Sequence, residues 1–246
     1  MGRLVILSGP SCIGKGPTHQ ALEKFYPDLA RRLETLVLYT SRDPRPGERD
    51  GVDYHFRPRP EIEAMRPNAR RVVVEVRGDL QALDLDYLDG VLARGDAFFE
   101  GNAFMAAQLR AAGVLARVSV LSVFLSPLSW DEITYLKTPD LRVSLPAFVT
   151  GVMRRKLLRR TLRQKQILSL KDLENIEQRA SSAYLEMKEA CNYDYVVPNH
   201  DGEDSENWDA FYYPVGDARK AMIAFAELLT GRTPPGVEHW EHELLP

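Results

Sequence analysis

The chain has few cysteines: Cys12 and Cys191 are the two thiols in 246 residues. Two thiols are too few for a disulfide framework or for a zinc site built on cysteine. A strand-type run, Leu4–Leu7, comes almost at once, without a basic and then apolar secretion signal before it. These features together predict a cytoplasmic protein.

Long apolar runs and a strong charge imbalance are also missing. No stretch approaches the roughly 20 apolar residues that a membrane span needs. The formal net charge is −3 at pH 7, which predicts no global attraction to nucleic acid or to a membrane surface. We therefore expect small-molecule partners, and the sequence leaves the oligomeric state open.

Strand-type runs recur along the chain, with helical patterns between most of them. This alternation predicts an α/β fold with a mainly parallel sheet. The predicted strands are Leu36–Leu38, Val72–Val76, Ala97–Phe99, Val118–Phe124 and Tyr195–Val197, in addition to Leu4–Leu7.

Between the first apolar run and a helical pattern lies Gly9-Pro10-Ser11-Cys12-Ile13-Gly14-Lys15, the first seven positions of a phosphate-binding P-loop. Such a loop turns backbone amides toward phosphate oxygens, and the helix that follows presents its unpaired N–H groups to the anion. Lys15 adds a mobile charge for the outer phosphates. The loop predicts an ATP site that includes Gly9, Ser11, Cys12, Ile13, Gly14, Lys15 and Gly16.

The eighth position departs from the P-loop pattern, because Gly16 stands where a Ser or Thr holds magnesium. Pro17 also lacks an N–H that could meet a phosphate. Thr18 lies about 200° further round the helix, so it is not a simple replacement. We expect water to fill the ligand position. Cys12 is either a small buried filler, which we favour, or a reactive thiol at a helix N-terminus.

A second pattern follows in a loop rich in proline, glycine and charge. It reads Ser41-Arg42-x-Pro44-Arg45-x-Gly47-Glu48-x-x-Gly51-x-Asp53-Tyr54-x-Phe56. This segment resembles the nucleoside-monophosphate-binding segment of guanylate kinases. The similarity continues from Phe124 to Ile133, at Arg179 and at Tyr195–Asn199, and covers most of residues 3–200.

The resemblance implies a P-loop NTPase-type parallel sheet flanked by helices, with an inserted nucleoside-monophosphate module and a helical lid. The domain boundaries it predicts are a core of residues 1–35, 97–134 and 176–232, a module of residues 36–96, a lid of residues 135–175 and a tail of residues 233–246. It also implies an enzyme that transfers the γ-phosphoryl group of ATP, bound with Mg²⁺, to GMP.

The candidate GMP-binding residues are arginines and carboxylates. Arg42 and Arg45 offer planar forks to a phosphate dianion, and Tyr54 can add a hydroxyl. Glu48 and Glu75 are acceptors suited to the N–H edge of guanine. The resemblance adds Glu100 and Asn102 near the acceptor. The alternative for Arg42, Arg45 and Glu48 is a surface loop closed by its own salt bridges.

One part of the predicted acceptor site does not match the family. Guanylate kinases have a Tyr-Tyr-Gly-Ser segment where this chain reads Gln81-Ala82-Leu83-Asp84-Leu85-Asp86, and Leu38 replaces a frequent hydroxyl. Two carboxylates would repel a phosphate dianion. Either Asp84 and Asp86 point elsewhere, or the acceptor is not plain GMP.

Seven basic residues and no acidic one occur between positions 151 and 170. Interspersed leucines predict a helix with one packed and one cationic face. The resemblance makes this the lid and assigns Arg159 and Arg163, with Arg179, to the transferring phosphoryl group. RNA binding and a solvated face are the alternatives. Asn199 matches the residue that contacts the donor adenine, and its alternative is a turn residue.

The sequence therefore predicts a nucleoside monophosphate kinase that converts ATP and GMP to ADP and GDP. Two alternatives remain open. One is a catalytically weak or inactive binding module of the same fold, which Gly16 and Pro17 favour. The other is a P-loop kinase for another phosphorylated acceptor.

Overall fold

The structure is a computed structural model that describes residues 2–45 and 47–245. The strands are β1 (Arg3–Ser8), β2 (Leu33–Thr35), β3 (Leu38–Thr40), β4 (Tyr54–Phe56), β5 (Arg71–Val76), β6 (Asp79–Asp84), β7 (Asp96–Gly101), β8 (Ser119–Ser126) and β9 (Tyr195–Pro198). The α-helices are α1 (Lys15–Phe25), α2 (Pro27–Ala30), α3 (Arg59–Glu63), α4 (Leu85–Arg94), α5 (Ala103–Ala111), α6 (Trp130–Leu136), α7 (Leu145–Lys165), α8 (Leu170–Lys188) and α9 (Gly216–Leu229). Within these described residues, no helix is both long and apolar enough to cross a membrane.

A five-stranded sheet has the order β2-β7-β1-β8-β9. β2 runs parallel to β7, and β8 runs parallel to β9. Leu4–Leu7 of β1 are fully buried, as expected for a strand of a parallel sheet whose two faces are both covered. The predicted α/β fold with a parallel sheet and flanking helices is confirmed.

The chain divides into two compact units. The first comprises the chain up to Ile6, Arg32–Glu100 and Phe104–Leu121. Its second sheet has the order β4-β3-β6-β5, in which β5 and β6 form a hairpin. Arg77 and Gly78 turn that hairpin with φ of 56° and 86°, the positive values that a two-residue hairpin turn requires. A small core of Ile62, Val73, Leu80 and Ala82 packs against this sheet.

The second unit comprises Leu7–Arg31, Gly101–Ala103 and the chain from Ser122 onward. Helix α7 buries residues at a spacing of about four, from Val149 through Met153 and Leu157 to Thr161, which gives it one packed face. Helix α8 begins at a capping box in which Ser169 and Asp172 satisfy each other's backbone N–H groups. The predicted cationic helix and the helix of Arg179 are thus α7 and α8.

The strand predicted at Leu36–Leu38 is wrong at its first two residues. β2 ends at Thr35 and β3 begins at Leu38, so the chain passes from one sheet to the other within the predicted strand. Leu36 is nevertheless buried, although it lies in the connection. Burial made an apolar connection resemble a strand in the sequence.

The loop predicted from Ser41 to Gly51 has no regular secondary structure in its described residues, which exclude Pro46. The end of the chain is docked rather than exposed. Glu238 forms a backbone bridge to Val196 of β9, and Trp240, Leu244 and Leu245 are buried.

Candidate active site

The P-loop connects β1 to α1 as the sequence predicts. Gly9 and Gly14 have φ of 146° and 101°, which favour glycine. A Cβ on Gly9 would lie 2.4 Å from the carbonyl oxygen of Leu125, and one on Gly14 would lie 2.7 Å from Nδ2 of Asn199. Both glycines therefore allow close packing of the loop as well as its turn.

The Lys15 ammonium folds back over the loop. Its Nζ donates to the carbonyl oxygens of Gly9 and Pro10, at 2.8 Å each. Lys15 begins α1, so its charge lies at the helix end that favours anions. This arrangement can deliver one positive charge and several backbone amides to a phosphate.

The loop offers little to a metal ion. Gly16 has no side-chain oxygen, and the buried Thr18 hydroxyl donates to the Gly14 carbonyl oxygen at 2.7 Å. Throughout residues 2–45 and 47–245, no group of three or more His, Cys, Asp or Glu side chains is arranged to hold a metal. Neither Gly16 nor Thr18 therefore offers a free hydroxyl at the position where a P-loop holds magnesium.

Cys12 is an inert residue of the loop. Its side chain is buried, and burial, with the nearby Glu203 carboxylate second, raises the pKa of the thiol to about 12. The buried-filler interpretation therefore fits the structure and the reactive one does not, because the thiolate is the nucleophile.

Four cations of α7, the helix of the predicted lid, fall into two classes, and we call them the lid cations. Arg159 and Arg163, the predicted pair, have side chains 70% and 48% exposed. Lys156 and Arg160 lie beside the packed face of α7, and their side chains are 12% and 17% exposed. Sequence reasoning missed Lys156 and Arg160, although their four-residue spacing places both next to buried Met153 and Leu157.

All four lid cations pair with carboxylates that follow β9. We call residues 201–206 the acidic segment. Arg160 Nη1 lies 2.7 Å from Glu203 Oε2, and Arg163 Nη2 lies 3.1 Å from Glu206 Oε1. Asp204 lies 3.7 Å from Lys156 Nζ and 3.8 Å from Arg159 Nη1. The cationic face of α7 is thus paired with carboxylates of the acidic segment, and the solvated-face alternative does not describe it.

Glu203 brings the lid and P-loop charges together. Burial would raise the pKa of its carboxyl group, but Arg160, Lys15 and Arg179 outweigh burial and lower that pKa. The side chain of Arg179, on α8, is itself buried. Three cations from the P-loop, α7 and α8 therefore act on one carboxylate.

The acidic segment is anchored from within the same unit. Asp201 accepts hydrogen bonds from the side chains of Ser205 and Asn207 and from the backbone N–H groups of Asp217 and Ala218. These contacts fix the segment at the start of α9. Sequence reasoning assigned no functional role to residues 201–246.

Asn199, the predicted adenine contact, is fully buried at the end of β9. Its Nδ2 donates to the carbonyl oxygens of Ile13 and Asp201, at 2.8 and 2.9 Å, and its Oδ1 accepts from the Asp201 N–H. These bonds tie the P-loop to the acidic segment. Asn199 lies beside the P-loop, as a residue that contacts the donor adenine would. Its hydrogen bonds in this structure are those of a turn residue.

The candidate acceptor residues lie in the first unit. Arg42 donates from both Nη atoms to the Glu48 carboxylate, at 2.6 and 2.7 Å, and Glu48 also accepts from the Arg45 N–H. The Arg42 guanidinium lies 4.9 Å from the centre of the Tyr54 ring. The structure therefore brings Arg42, Arg45, Glu48 and Tyr54 together, with the salt bridge that the alternative interpretation expected.

The remaining predicted acceptor residues are less concentrated. Glu75 is exposed on β5 and pairs with Arg59 at 3.2 Å. Glu100, on β7, is close enough to Tyr54 to contribute to the raised pKa of the Tyr54 hydroxyl, of which burial is the main cause. Asn102 follows β7 directly and belongs to the second unit.

Asp84 and Asp86 are engaged elsewhere. Asp84 caps α4 by accepting from the N–H groups of Asp86 and Tyr87, and it pairs with Arg71 at 2.5 Å. Asp86 pairs with Arg70 at 2.7 Å. Of the two explanations for these carboxylates, the structure supports the one in which they do not face the acceptor phosphate.

Comparisons with known proteins agree with this arrangement. A family model described as Guanylate kinase matches residues 1–75. The guanylate kinase of Listeria monocytogenes serotype 4b (strain F2365) is 30% identical over 200 residues, which are 80% of this chain and 80% of that protein. The guanylate kinase of Bacillus subtilis (strain 168) is 35% identical over 134 residues, 54% of this chain and 62% of that protein.

A solved structure, the crystal structure of guanylate kinase from Anaplasma phagocytophilum, has a similar fold. The TM-score is 0.53 at 19% sequence identity, and the match covers 94% of this chain and 85% of that chain. At this identity the likeness concerns the fold.

Proposed function

This chain belongs to the guanylate kinase family, and on that premise we propose that it transfers the γ-phosphoryl group of ATP to GMP, giving ADP and GDP. The observation that carries the proposal is the convergence of Lys15, Arg160 and Arg179 on one carboxylate at the P-loop. A group of cations around a single anion is what a transferring phosphoryl group requires.

The donor phosphates bind along the P-loop in this proposal. The amides of Gly9–Lys15 and the N-terminus of α1 surround the phosphates, and Lys15 exchanges its bonds to Gly9 and Pro10 for phosphate oxygens. Asn199 fixes the base side of the loop through its bonds to Ile13 and Asp201. Arg159 and Arg163 lie at the exposed edge of the lid and complete the predicted set.

The chemistry needs positioning and charge more than a base. A phosphate oxygen of GMP is already a nucleophile at neutral pH, so no side chain has to remove a proton. Lys15, Arg160 and Arg179 stabilise the negative charge that spreads over the equatorial oxygens of the transferring group. The lid helices exclude water, which would otherwise accept the phosphoryl group.

The acceptor is held by the module of the first unit. Arg42 and Arg45 bind the GMP phosphate with Tyr54, and Glu48 orients Arg42 through its two hydrogen bonds. Glu75 reads the N–H edge of guanine, and Glu100 and Asn102 complete the acceptor side. Arg42 and Glu48 form a closed pair in this structure, so GMP phosphate shares or replaces Glu48 at the guanidinium.

Guanylate kinases are ATP-dependent kinases that generally use Mg²⁺. When bound with ATP, the ion would neutralise part of the negative charge of the triphosphate. Because Gly16 has no hydroxyl and Thr18 bonds to Gly14, we propose that Mg²⁺ arrives with ATP and keeps water where the usual P-loop hydroxyl would bind.

A coupled assay of ADP formation tests the proposal. We expect turnover with GMP above that with AMP, CMP or UMP, and none above background for Lys15→Ala. ADP formation that is independent of any monophosphate, or absent with all four, would contradict the transferase function.

Gly16 favours a second candidate, a guanylate-kinase-like binding module without turnover. Calorimetric titration with ATP and magnesium separates the two, because a module that binds a protein partner has no use for three cations at the P-loop. Absence of ATP binding would favour the module.

A further inference from the structure

Glu203 lies where the proposed function needs an anion. Its Oε2 is 2.7 Å from Nη1 of Arg160, and Lys15 and Arg179 are both close enough to lower its pKa. These three cations come from separate elements: the P-loop end of α1, then α7 and α8. Glu203 thus forms an ion pair with Arg160, and its carboxylate feels the charges of Lys15 and Arg179 as well.

The acidic segment packs directly on the P-loop. The Glu203 N–H donates to the Cys12 carbonyl oxygen at 3.2 Å. A Cβ on Gly202 would lie 2.1 Å from that same oxygen, so only glycine permits this approach. A Cβ on Gly14 would lie 3.1 Å from the carbonyl oxygen of Asp201, the first residue of the segment. The segment therefore covers the loop at both Cys12 and Gly14.

The neighbouring Asp204 carboxylate also pairs with cations of α7. Its side chain is 5% exposed and lies within 4 Å of Lys156 and Arg159. Its buried Oδ1 atom makes no hydrogen bond and lies 3.7 Å from Lys156 Nζ, so an ion pair compensates the burial of that oxygen.

Charge explains the arrangement. Buried cations without a counter-ion are costly, and a carboxylate presents two oxygens to a guanidinium much as a phosphate does. Glu203 neutralises part of the charge of Lys15, Arg160 and Arg179 when no nucleotide is bound. A triphosphate carries more charge and more oxygens, so it can replace one carboxylate at these cations.

We propose that Glu203 is an internal counter-ion that occupies part of the donor-phosphate site, and that the phosphates of ATP bind by displacing it. This inference rests on the proposed function. The free energy of ATP binding is then the difference between what the cations gain from the phosphates and what they lose when Glu203 leaves. Removing the negative charge of Glu203 strengthens ATP binding instead of weakening it.

The test compares Glu203→Gln with Glu206→Gln by calorimetric titration of ATP·Mg²⁺. Both substitutions keep the side-chain shape and remove one negative charge from the same segment. Glu206 is exposed and pairs with Arg163 at the lid edge, so it is the matched control. We expect the Kd for ATP to fall about tenfold in Glu203→Gln and to change less than about twofold in Glu206→Gln.

A second measurement needs no nucleotide. The Glu203 N–H donates to the Cys12 carbonyl oxygen at 3.2 Å, so its hydrogen–deuterium exchange reports how often the acidic segment leaves the loop. If Glu203 anchors that segment through the cations, the N–H of residue 203 exchanges several-fold faster in Glu203→Gln, after correction for the intrinsic rates of Glu and Gln. Glu206→Gln should leave the exchange rate of this N–H close to that of wild type.

The outcomes separate the inference from the proposed function. ATP binding of equal or lower affinity in Glu203→Gln would overturn the inference while leaving the function intact. No ATP binding by any of the three proteins would contradict the function and, with it, the displacement of Glu203 by ATP. An exchange rate at residue 203 that Glu203→Gln leaves unchanged would overturn the counter-ion role whatever the binding data show.

Discussion

The proposed donor and acceptor regions each pair arginine with a carboxylate, but the two pairs are built differently. In the acceptor loop Arg42 and Glu48 are six residues apart and form two hydrogen bonds within one loop. In the donor region Glu203 is 43 residues from Arg160 and is also influenced by Lys15 and Arg179. The acceptor pair is local, whereas the donor group depends on three elements folding together.

This difference has a functional meaning in our account. A local pair can exchange one partner for a phosphate through side-chain movement alone. The donor group requires a backbone segment to leave the P-loop, because Gly202 and Glu203 both contact Cys12. We therefore expect donor binding to be coupled to a larger rearrangement than acceptor binding.

The largest effect should come from the donor region. Lys15→Ala removes the charge nearest the P-loop phosphates, and we expect kcat/KM for ATP to fall about a thousandfold. Lys24→Ala, an exposed lysine on the same helix, should change it less than about twofold. Comparable losses in both variants would show that the effect concerns the fold of α1 and not phosphate binding.

The second-largest effect is a difference in kcat between variants of two lid arginines. Arg160→Ala should lower kcat about a hundredfold, because Arg160 faces the P-loop, whereas Arg159→Ala should lower it only a few-fold. Steady-state kinetics at saturating ATP and GMP measures both. A larger loss in Arg159→Ala would restore the pair that the sequence predicts and would break the distinction between buried and exposed lid cations.

A smaller effect belongs to the acceptor region. Arg42→Ala should remove about 2 kcal/mol of binding to the GMP phosphate, which raises the KM for GMP roughly thirtyfold. The KM for ATP should stay nearly constant. Arg70→Ala removes an arginine that pairs with Asp86 and Asp89 instead, and it is the control. A rise in KM for ATP as large as that for GMP would argue against separate donor and acceptor roles.

The smallest effect concerns stability next to the acidic segment. His200 lies between Asp217 and Glu132, at 2.6 and 3.0 Å. Burial lowers the pKa of His200, but the bonds to Asp217 and Glu132 outweigh it and raise that pKa. The stabilisation is therefore complete below the ordinary histidine pKa of about 6.5 and is lost as pH rises through the raised value.

His200 is half-exposed, so we expect this contribution to be at most about 1 kcal/mol. Thermal unfolding of wild type and His200→Asn between pH 6 and pH 9 measures it. The difference in Tm between the two proteins should shrink as pH rises. A constant difference would show that the charge of His200 does not contribute.

Local features were predictable from sequence, and those that depend on distant contacts were not. β1, the P-loop and α1 follow from neighbouring residues, and so does the salt-bridged loop of Arg42 and Glu48. Arg160 required the packed face of α7 to be known, because Arg159 and Arg160 are equivalent in a list of charges. The phase of a helix relative to its neighbours decides which of them is buried.

The position of the acidic segment was even less predictable, because it depends on contacts between residues far apart in the sequence. Nothing near Glu203 in the sequence indicates that it would lie against Cys12, 191 positions earlier. The Leu36–Leu38 strand failed for a related reason, since a buried connection and a buried strand share the same apolar composition. Asp84 and Asp86 looked anomalous only because their partners, Arg71 and Arg70, come from another strand and a preceding turn.

The most direct test of the account follows the phosphoryl group itself. Purified protein is incubated with γ-labelled ATP, magnesium and GMP, and the products are separated. We predict that the label appears in GDP in step with ADP formation, and that Lys15→Ala abolishes the transfer. Label released only as inorganic phosphate, or retained in ATP with no labelled GDP, would contradict the central claim.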